Sequence, residues 1–549
     1  MQEILVHGKN TMKKFTFVRI LASVFCFISL LYADMSLALT SDEALGILGS
    51  RSASFDDKTQ AIHALNEDPA PYISSLFKAL NKGELFFDKK SSALYIKAKD
   101  GSYLDIKNKL KFKGKKRNLK KVSINNSLRQ ELSLIIALND LNNHNLSTKI
   151  RTQNAIDLIG QLDSSQTEAI TKLRDSALGE DEEFATALNY IIAAADLSNT
   201  DPKIRNGAMR ILEDFNSPVL INRFDDIAKN DPDVSNRLFA KKRTKELQNS
   251  QTINNCFETV FFGLSLGSVL VLAAIGLTVT FGVMGVINMA HGELMMIGAY
   301  TTYVIQQLMP GYPGIALLLS IPAAFMVSGL VGIAIERGVI RFLYGRPLET
   351  LLATFGISLL LQQAVRSIFT ALNKNVVIPD FMSGSFKVNE FLILTYNRLY
   401  IIIFCLIVFF SLRYFLKKST LGVQVRAVSQ NRAMARNMGI HSDRVNALTF
   451  GLGSGIAGLA GVALSQLTNV GPNLGQNYIV DSFLVVVFGG SGNIFGTLAA
   501  GMTLGLCNKI LEPISGAMLA KIIILVGVIL FIQKRPRGLF PQRGRSVED

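Results

Sequence analysis

Residues 257–281, FETVFFGLSLGSVLVLAAIGLTVTF, decide the fold class of this 549-residue chain. The stretch is almost wholly apolar, and it is longer than the roughly 20 residues that a membrane-spanning helix needs. Similar apolar segments follow at 292–309, 314–335, 350–371, 399–416, 446–468, 480–511 and 515–533. Together they predict an all-α membrane protein, a polytopic helical bundle.

Outward from these segments, the chain changes character. Apolar residues make up 49% of the whole chain, charged residues 18%, and the net charge is +15. Residues 40–250 are polar and charged, whereas the positive excess of the second half lies in loops beside the apolar segments. Membrane topology explains such loops better than nucleic-acid binding does.

The N-terminus has the layout of an export signal. Basic residues at 13, 14 and 19 precede the apolar run Ile20–Leu31, and small residues at 36 and 38 fit a cleavage site. This order predicts a signal peptide over residues 1–38, with an uncleaved anchor as the alternative. Either outcome would deliver residues 39–250 to the periplasm.

The exported domain, 39–250, is predicted to be mostly helical with a small β-hairpin around the Asp100-Gly101 turn. A Lys-Ile-Arg triplet recurs 54 residues apart, at 149–151 and 203–205. Stacked HEAT-like helix pairs or a chance similarity between amphipathic helices would both explain it. Nine of the fifteen residues from 107 to 121 are basic, typical of a solvated loop or of a surface for anionic lipid headgroups.

Basic residues concentrate in loops 336–349 and 417–445 and in the C-terminal tail, so these three regions are predicted to be cytosolic. A chain that starts outside then needs an even number of crossings after residue 445, but three apolar segments follow. The sequence Gly-Gly-Ser-Gly-Asn at 489–493 would break the segment 480–511. A broken or re-entrant helix there restores the parity, and it requires a protein-lined or water-filled surrounding.

Loop 417–445 reads KKSTLGVQVRAVSQNRAMARNMGIHSDRV, with six basic residues and one acidic residue. Residues 424–438 have helix-forming composition and stop at Gly439. A short cytosolic helix between two spans is typical of a docking element for a soluble partner. A basic loop that only fixes topology is the alternative.

Several chemistries are excluded by motif. The chain has no GxxxxGK[ST] or HExxH sequence, and its four cysteines form no CxxC pair. The GxGxxG match at 453–458 lies inside an apolar segment, where it fits close helix packing rather than a dinucleotide site. We therefore expect no cofactor, no metal, no ATPase site and no enzyme activity.

Polar residues inside apolar segments must be satisfied within the bundle or face water. Those near predicted helix breaks are candidates for a solute path: Asn288, His291, Glu293, Thr354, Ser491 and Asn493. Hydrogen bonding between helices, or a position at the membrane surface, is the alternative for each.

The motifs at 282–293 (GVMGVINMAHGE), 347–356 (PLETLLATFG), 488–493 (FGGSGN) and 535–540 (RPRGLF) together resemble LivH-type permeases. These are subunits of ABC importers for branched-chain amino acids and urea. The resemblance covers roughly 257–545, so we expect a permease domain at 251–545. It implies a bacterial inner-membrane location, a second permease subunit, two ATPase subunits and a periplasmic solute-binding protein. Positions matching the family's ATPase-docking loop, extended here by the neighbouring arginine, are Gly422, Arg426, Ala427, Asn431, Arg432, Ala435 and Gly439.

The long exported extension is similar to that on the permease subunit of urea transporters, which favours urea over branched-chain amino acids. Two other classes stay open. A membrane-anchored interaction protein would work through residues 40–250. An intramembrane enzyme would use His291 and Glu293, but no recognisable catalytic pair supports it.

Overall fold

The computed structural model describes residues 39–540, apart from 51–52, 67–69, 90, 99–101, 113, 115–117, 144–145, 163–166, 180 and 491. The predicted signal peptide therefore lies outside the described residues. The chain divides into two compact units, one ending at Leu212 and one beginning at Glu213.

The first unit is mostly helical, with one small sheet. Its helices are α1 (Ser41–Leu48), α2 (Phe55–Asn66), α3 (Tyr72–Lys82), α4 (Asn126–Leu141), α5 (Thr148–Asp157), α6 (Thr167–Ala177), α7 (Glu182–Asp196) and α8 (Pro202–Ile211). Its strands are β1 (Leu85–Asp88), β2 (Leu94–Lys97), β3 (Tyr103–Asp105) and β4 (Leu119–Lys121). One apolar core joins α1–α4 to the sheet through fully buried side chains such as Leu76, Phe77 and Leu85.

The predicted hairpin is confirmed and is part of a larger sheet. β1 pairs with β2 with Phe86 opposite Tyr95, and β2 pairs with β3 with Ile96 opposite Leu104. β4 adds to the other edge of β1, so the antiparallel order is β3-β2-β1-β4. The Asp100-Gly101 turn is outside the described residues. The sequence missed β4 because its three residues are mainly lysines in the basic run.

The two arginines of the Lys-Ile-Arg triplets share a structural role. Arg151 Nε donates to the Leu141 carbonyl at the end of α4, at 2.9 Å. Arg205 Nη1 donates to the Asn199 and Thr200 carbonyls just before α8, at 2.7 and 3.0 Å. Each arginine thus satisfies carbonyl groups that the end of a helix or a turn leaves free. The HEAT-like interpretation stays a prediction.

The second unit contains the apolar helices and shorter polar ones. They are α9 (Val219–Asn230), α10 (Val234–Met284), α11 (His291–Leu308), α12 (Pro313–Gly338), α13 (Pro347–Phe369), α14 (Tyr396–Lys418), α15 (Thr420–Gln430), α16 (Arg432–Asn437), α17 (Ser442–Ser465), α18 (Gln476–Gly489), α19 (Ile494–Ser515) and α20 (Ala517–Lys534). A 3₁₀ turn occupies Ile340–Leu343, and β5 (Ser385–Asn389) pairs with β6 (Leu392–Thr395).

Seven helices among the described residues are long and apolar enough to cross a membrane, which makes this a polytopic helical membrane protein. The first of them, α10, is 51 residues long. It runs without interruption from the polar residues at 234 to the apolar residues at 284. The predicted domain boundary at residue 250 falls inside this helix, because helical composition continues across the change in polarity.

The predicted break in 480–511 is confirmed. α18 stops at Gly489 and α19 starts at Ile494, and Gly490 has φ of +100°. Asn493 caps α19 by accepting hydrogen bonds from the backbone N–H groups of Phe495 and Gly496. Two helices separated at Gly490 thus replace the one predicted segment.

The bundle has two recognisable ends. At the end that carries loop 417–445, Val283 of α10 packs on Val425, Val428 and Val445, and the backbone at Gly282 touches Gly492. The C-terminal residues reach the same end, since Leu539 N–H donates to the Phe488 carbonyl. At the end that carries the β5–β6 hairpin, Asn389, the last residue of β5, donates to Asn254 of α10, and Lys374 pairs with Val470.

Helix α17 forms the centre of the bundle, because its glycines let neighbouring backbones approach closely. A Cβ added at Gly461 would lie 2.0 Å from the Met295 carbonyl oxygen of α11. One added at Gly458 would lie 2.5 Å from the Ala324 carbonyl oxygen of α12. Small residues at helix contacts are the usual basis of packing in membranes.

Candidate functional site

A non-helical segment enters the bundle between α10 and α11. α10 ends at Met284, its cap residue Gly285 has φ of +67°, and α11 starts at His291. His291 hydrogen-bonds to the carbonyl of Ala273, eleven residues before the end of α10. At a rise of 1.5 Å per residue, α11 therefore begins about 16 Å before the C-terminal end of α10, inside the bundle. Non-helical backbone at such depth is expected only where protein or a polar cavity surrounds it.

Two side chains hold this segment. Asn288 Oδ1 accepts a hydrogen bond from Ala290 N–H at 3.0 Å. Thr354 Oγ1, from α13, accepts one from Met289 N–H at 3.1 Å. Both residues are buried, and Asn288 Nδ2 has no hydrogen-bond partner. An unpaired buried donor is costly, so this amide is available to a polar solute.

His291 is fixed from one side only. Its Nε2 lies 2.9 Å from the Ala273 carbonyl oxygen, and since a carbonyl only accepts, Nε2 carries the proton. Its Nδ1 is buried without a partner. The ring passes over Gly276, where an added Cβ would lie 2.9 Å from His291 Cε1.

Glu293 is the buried acid of the site. Its Oε1 accepts hydrogen bonds from Ser358 Oγ at 2.9 Å and from Gln362 Nε2 at 2.8 Å. Its Oε2 is buried without a partner. Arg366 attracts the carboxylate electrostatically and donates a hydrogen bond to Asn473 at 2.7 Å. The site thus offers a carboxylate oxygen and, close by, a guanidinium.

Helix α13 supplies most partners of this site, and it is attached to the bundle in an unusual way. Its buried residues are Thr350, Thr354, Ser358, Gln362 and Val365. The first four are polar and recur every four positions, so they form one stripe on the helix. Its other faces carry exposed leucines and isoleucines. The helix is therefore apolar outside and polar inside, opposite to a helix of a water-soluble protein.

Four of the six predicted path residues come together here: Asn288, His291, Glu293 and Thr354. Asn493 has its partners elsewhere, in α19 and at the Phe540 carbonyl. Ser491 lies outside the described residues. Ser358 and Arg366 are additional members that the sequence prediction did not name. The fourfold spacing of Thr350, Thr354, Ser358 and Gln362 was the available signal.

The predicted docking helix is present, but it is two helices rather than one. Asn431, with ψ of 102°, interrupts it and caps α16 by accepting a hydrogen bond from Met434 N–H. The reason is that Asn competes for backbone groups and favours helix starts. Gly439 ends the loop helix with φ of +83°, and Ile440 N–H donates back to the Ala435 carbonyl.

Of the other predicted docking residues, some lie in packing contacts and others are exposed. Gly422 is buried, and an added Cβ would lie 2.0 Å from the Leu416 carbonyl oxygen. Ala427 and Ala435 pack in a small apolar cluster with Val425. Arg426 is exposed and donates to the Leu416 carbonyl.

The outer surface of α15 and α16 mixes apolar and basic side chains. Val423, Met434 and Met438 are exposed, at 55%, 58% and 77%. Arg426 and Arg436 are exposed beside them. Exposed apolar residues rimmed by charge mark an interaction surface.

The site contains no metal-ligand cluster, since the described residues hold no group of three or more His, Cys, Asp or Glu side chains suited to a metal. The chemistry that its side chains can supply is hydrogen bonding.

Comparisons with known proteins agree with this architecture. A family model described as "Branched-chain amino acid transport system / permease component" matches residues 259–532. BraD of Pseudomonas aeruginosa, a high-affinity branched-chain amino acid transport system permease protein, is 32% identical over 287 residues, which cover 50% of this chain and 93% of that protein. The chain belongs to this permease family.

Other relatives match the same half of the chain. LivH of Escherichia coli K12, a permease protein of the same kind of system, is 31% identical over 292 residues, covering 51% of this chain and 94% of that protein. The ribose import permease RbsC of Escherichia coli K12 is 26% identical over 288 residues, covering 51% and 84%. No solved structure matches the chain. The chain is thus an ABC transporter permease of the branched-chain amino acid type.

Proposed function

We propose that this chain is the membrane subunit of an ABC importer for urea in a bacterial inner membrane. It would work with a second permease subunit, two ATPase subunits and a periplasmic solute-binding protein. Membrane lipid surrounds its apolar faces. The observation that carries the transport role is the buried polar site, with unpaired hydrogen-bonding atoms on Asn288, His291 and Glu293.

Two features support urea as the solute. Urea is small and uncharged, and it both donates and accepts hydrogen bonds, as do the unpaired atoms of the site. In addition, the amino acid permeases match about half of this chain and nearly all of their own length. The first unit is therefore an addition to that pattern, and its resemblance to the extension of urea-transporter permeases favours urea.

A branched-chain amino acid is the second candidate, because Glu293 and Arg366 lie close enough to attract each other. A zwitterionic solute needs an acid for its ammonium group and a base for its carboxylate. BraD and LivH are also named as branched-chain amino acid permeases.

Uptake of labelled urea and labelled leucine, in cells carrying the full set of subunits, separates the two candidates. Urea transport should tolerate Arg366→Gln, since a neutral solute needs no countercharge. Amino acid transport should fall strongly in both Arg366→Gln and Glu293→Gln. Leucine uptake without urea uptake by the wild type would overturn the urea proposal.

We propose further that residues 39–250 face the periplasm and that α15, α16 and the C-terminus face the cytosol, with α15 and α16 docking on an ATPase subunit. Single cysteines in a background without the four native ones test this. Ser176→Cys should react with an impermeant maleimide added outside, and Asn437→Cys should not; both positions are exposed. The reverse result would invert the topology.

A further inference from the structure

A buried polar junction joins the docking loop to the bundle. Tyr344, which follows the 3₁₀ turn between α12 and α13, donates its hydroxyl hydrogen to Glu336 Oε1. Glu336, near the end of α12, is only 1% exposed. The Arg432 guanidinium of α16 lies over the Tyr344 ring, 4.5 Å from its centroid. Asn446 of α17 approaches the same hydroxyl.

The junction is polar where an apolar contact would suffice for packing. Arg432 Nε and Asn446 Nδ2 are buried without a hydrogen-bond partner. Glu336 Oε2 is also buried without a hydrogen bond and lies 3.8 Å from Arg337 Nε. Buried polar groups with unmet bonding are costly, so a purely structural contact would avoid them. Burial, and then the hydrogen bond to Glu336, raise the pKa of Tyr344 well above its usual range. Its hydroxyl therefore stays protonated and donates across the physiological range.

Tyr344 is also connected to the polar site through α13. Two residues after Tyr344, the Arg346 carbonyl accepts a hydrogen bond from Thr350 Oγ1 at 2.8 Å. Thr350 is the first residue of the polar stripe on α13, and it also donates to the Leu343 carbonyl at 3.2 Å. A displacement of Tyr344 therefore moves the first turn of α13.

The attachment of α13 makes such a displacement effective. Its buried stripe is almost wholly polar, and its contacts with α11 include the bonds from Ser358 and Gln362 to Glu293. Hydrogen bonds between membrane helices are individually weak. The glycine contacts of α17, by contrast, resist any shift of α11 and α12. Movement of the docking loop therefore displaces α13 more easily than α11 or α12.

We propose that Tyr344 is a positioning residue that transmits movement of α16 to α13, and so opens the bonds that hold Ser358 and Gln362 on Glu293. When an ATPase subunit shifts α16, Arg432 moves the Tyr344 ring with it. The hydrogen bond from the Tyr344 hydroxyl to Glu336 sets the position of the ring before that shift. The inference rests on the proposed docking of α16 on an ATPase subunit. It names the residue through which that docking reaches the solute site.

Tyr344→Phe isolates the hydroxyl, because the ring and its contact with Arg432 remain. In proteoliposomes holding all subunits, solute transported per ATP hydrolysed should fall about fivefold or more, since a buried hydrogen bond is lost. ATP hydrolysis itself should stay within about twofold of wild type, because the docking surface is unchanged. Tyr414→Phe is the matched control, since Tyr414 is 69% exposed and lies near the end of α14 from which the docking loop continues.

A distance measurement distinguishes coupling from a merely structural role. Spin labels at Leu360 on α13 and Leu308 on α11, both exposed, should report a change in separation when ATP is added. Tyr344→Phe loses the bond that sets the rest position but keeps the ring contact, so it should reduce that change while ATP binding persists. Arg432→Gln keeps the hydroxyl bond and removes the cation that contacts the ring, so it should reduce both readouts at least as much as Tyr344→Phe, and it serves as the test if Tyr344→Phe is poorly folded.

The outcomes separate the inference from the function on which it rests. If the wild-type assembly shows no ATP-dependent uptake, the proposed function fails. If the wild type transports, and both variants keep its ratio of transport to hydrolysis and its ATP-dependent distance change, only the role of Tyr344 is overturned. An equal fall in transport and hydrolysis would also overturn it, because that pattern indicates lost docking.

Discussion

Helices α13 and α17 are almost equal in length, 23 and 24 residues, yet they are held in opposite ways. Twenty residues of α17 are buried, against five of α13. The buried face of α17 is rich in glycine and packs backbone against backbone, whereas that of α13 is polar and hydrogen-bonds to α11 and to the segment before it. The close backbone contacts of α17 leave no room for displacement, whereas the hydrogen bonds of α13 can exchange partners. The bundle therefore combines a rigid centre with one loosely attached helix beside the polar site.

The largest effect should come from adding one methyl group to the rigid helix. Gly461→Ala would place a Cβ 2.0 Å from the Met295 carbonyl oxygen, so the backbones of α11 and α17 must separate. Overpacking of this kind costs about 1–3 kcal/mol or more, and we expect folded yield to fall roughly tenfold. Fluorescence-detected size exclusion in mild detergent measures it.

The matched control is the same substitution on α13. Gly356→Ala meets no atom within 4 Å. Because Ala is a better helix former than Gly, by up to about 1 kcal/mol, folded yield should be unchanged or slightly higher. Equal losses in the two variants would contradict the contrast between the helices.

The second effect should appear in transport. Thr354→Val keeps the shape of the side chain but removes the acceptor of Met289 N–H. An unpaired buried N–H costs about 1–3 kcal/mol, so the segment before α11 should shift and uptake should fall roughly tenfold. Protein level should remain near wild type. Ser367→Ala, on the exposed face of the same helix, is the control. Normal uptake by Thr354→Val would remove the segment from the solute path.

This contrast shows how much of the molecule the sequence could predict. Apolar length predicted most of the candidate spans, although the segment at 292–309 is not among them, and the glycine run predicted the break near Gly490, because both depend on composition alone. Asn288, Glu293 and Thr354 were recognisable as polar residues in apolar segments. Ser358 and Arg366 were not, because a serine or an arginine near a helix end is common; their importance depends on Glu293 lying opposite, which only the tertiary fold shows.

The same limit applies at the docking loop. Composition predicted one helix over 424–438, but capping by Asn431 divides it in two. The direct link from this loop to α13 depends on Tyr344, and no local pattern marks that residue. Sequence patterns report which residues are buried or exposed more reliably than which partner each one meets.

The third effect should be a partial loss of coupling. Gly439→Val meets no atom within 4 Å, so its effect comes only from the backbone, which has φ of +83°. A left-handed conformation costs a β-branched residue about 1–2 kcal/mol, enough to shift α16 and lower uptake severalfold. Gly338→Val is the control, because its surroundings are also open and its φ is not positive. Equal uptake in the two variants would show that the left-handed backbone at Gly439 does not affect transport.

The smallest effect should come from the break between α18 and α19, which by its contacts belongs to the rigid part. Asn493→Ala removes the cap on Phe495 and Gly496 N–H and the bond to the Phe540 carbonyl. Loss of a cap costs about 0.5–2 kcal/mol, so the melting temperature should fall by a few degrees. Asn493→Asp keeps the cap acceptor and loses only the donor to Phe540, so it should fall between wild type and Asn493→Ala. Uptake per folded molecule should be normal in both variants, because the side chain has no partner among the residues around Glu293. If uptake fell while the melting temperature held, Asn493 would belong with α13 on the solute path, and the division between rigid and mobile parts would have to be redrawn.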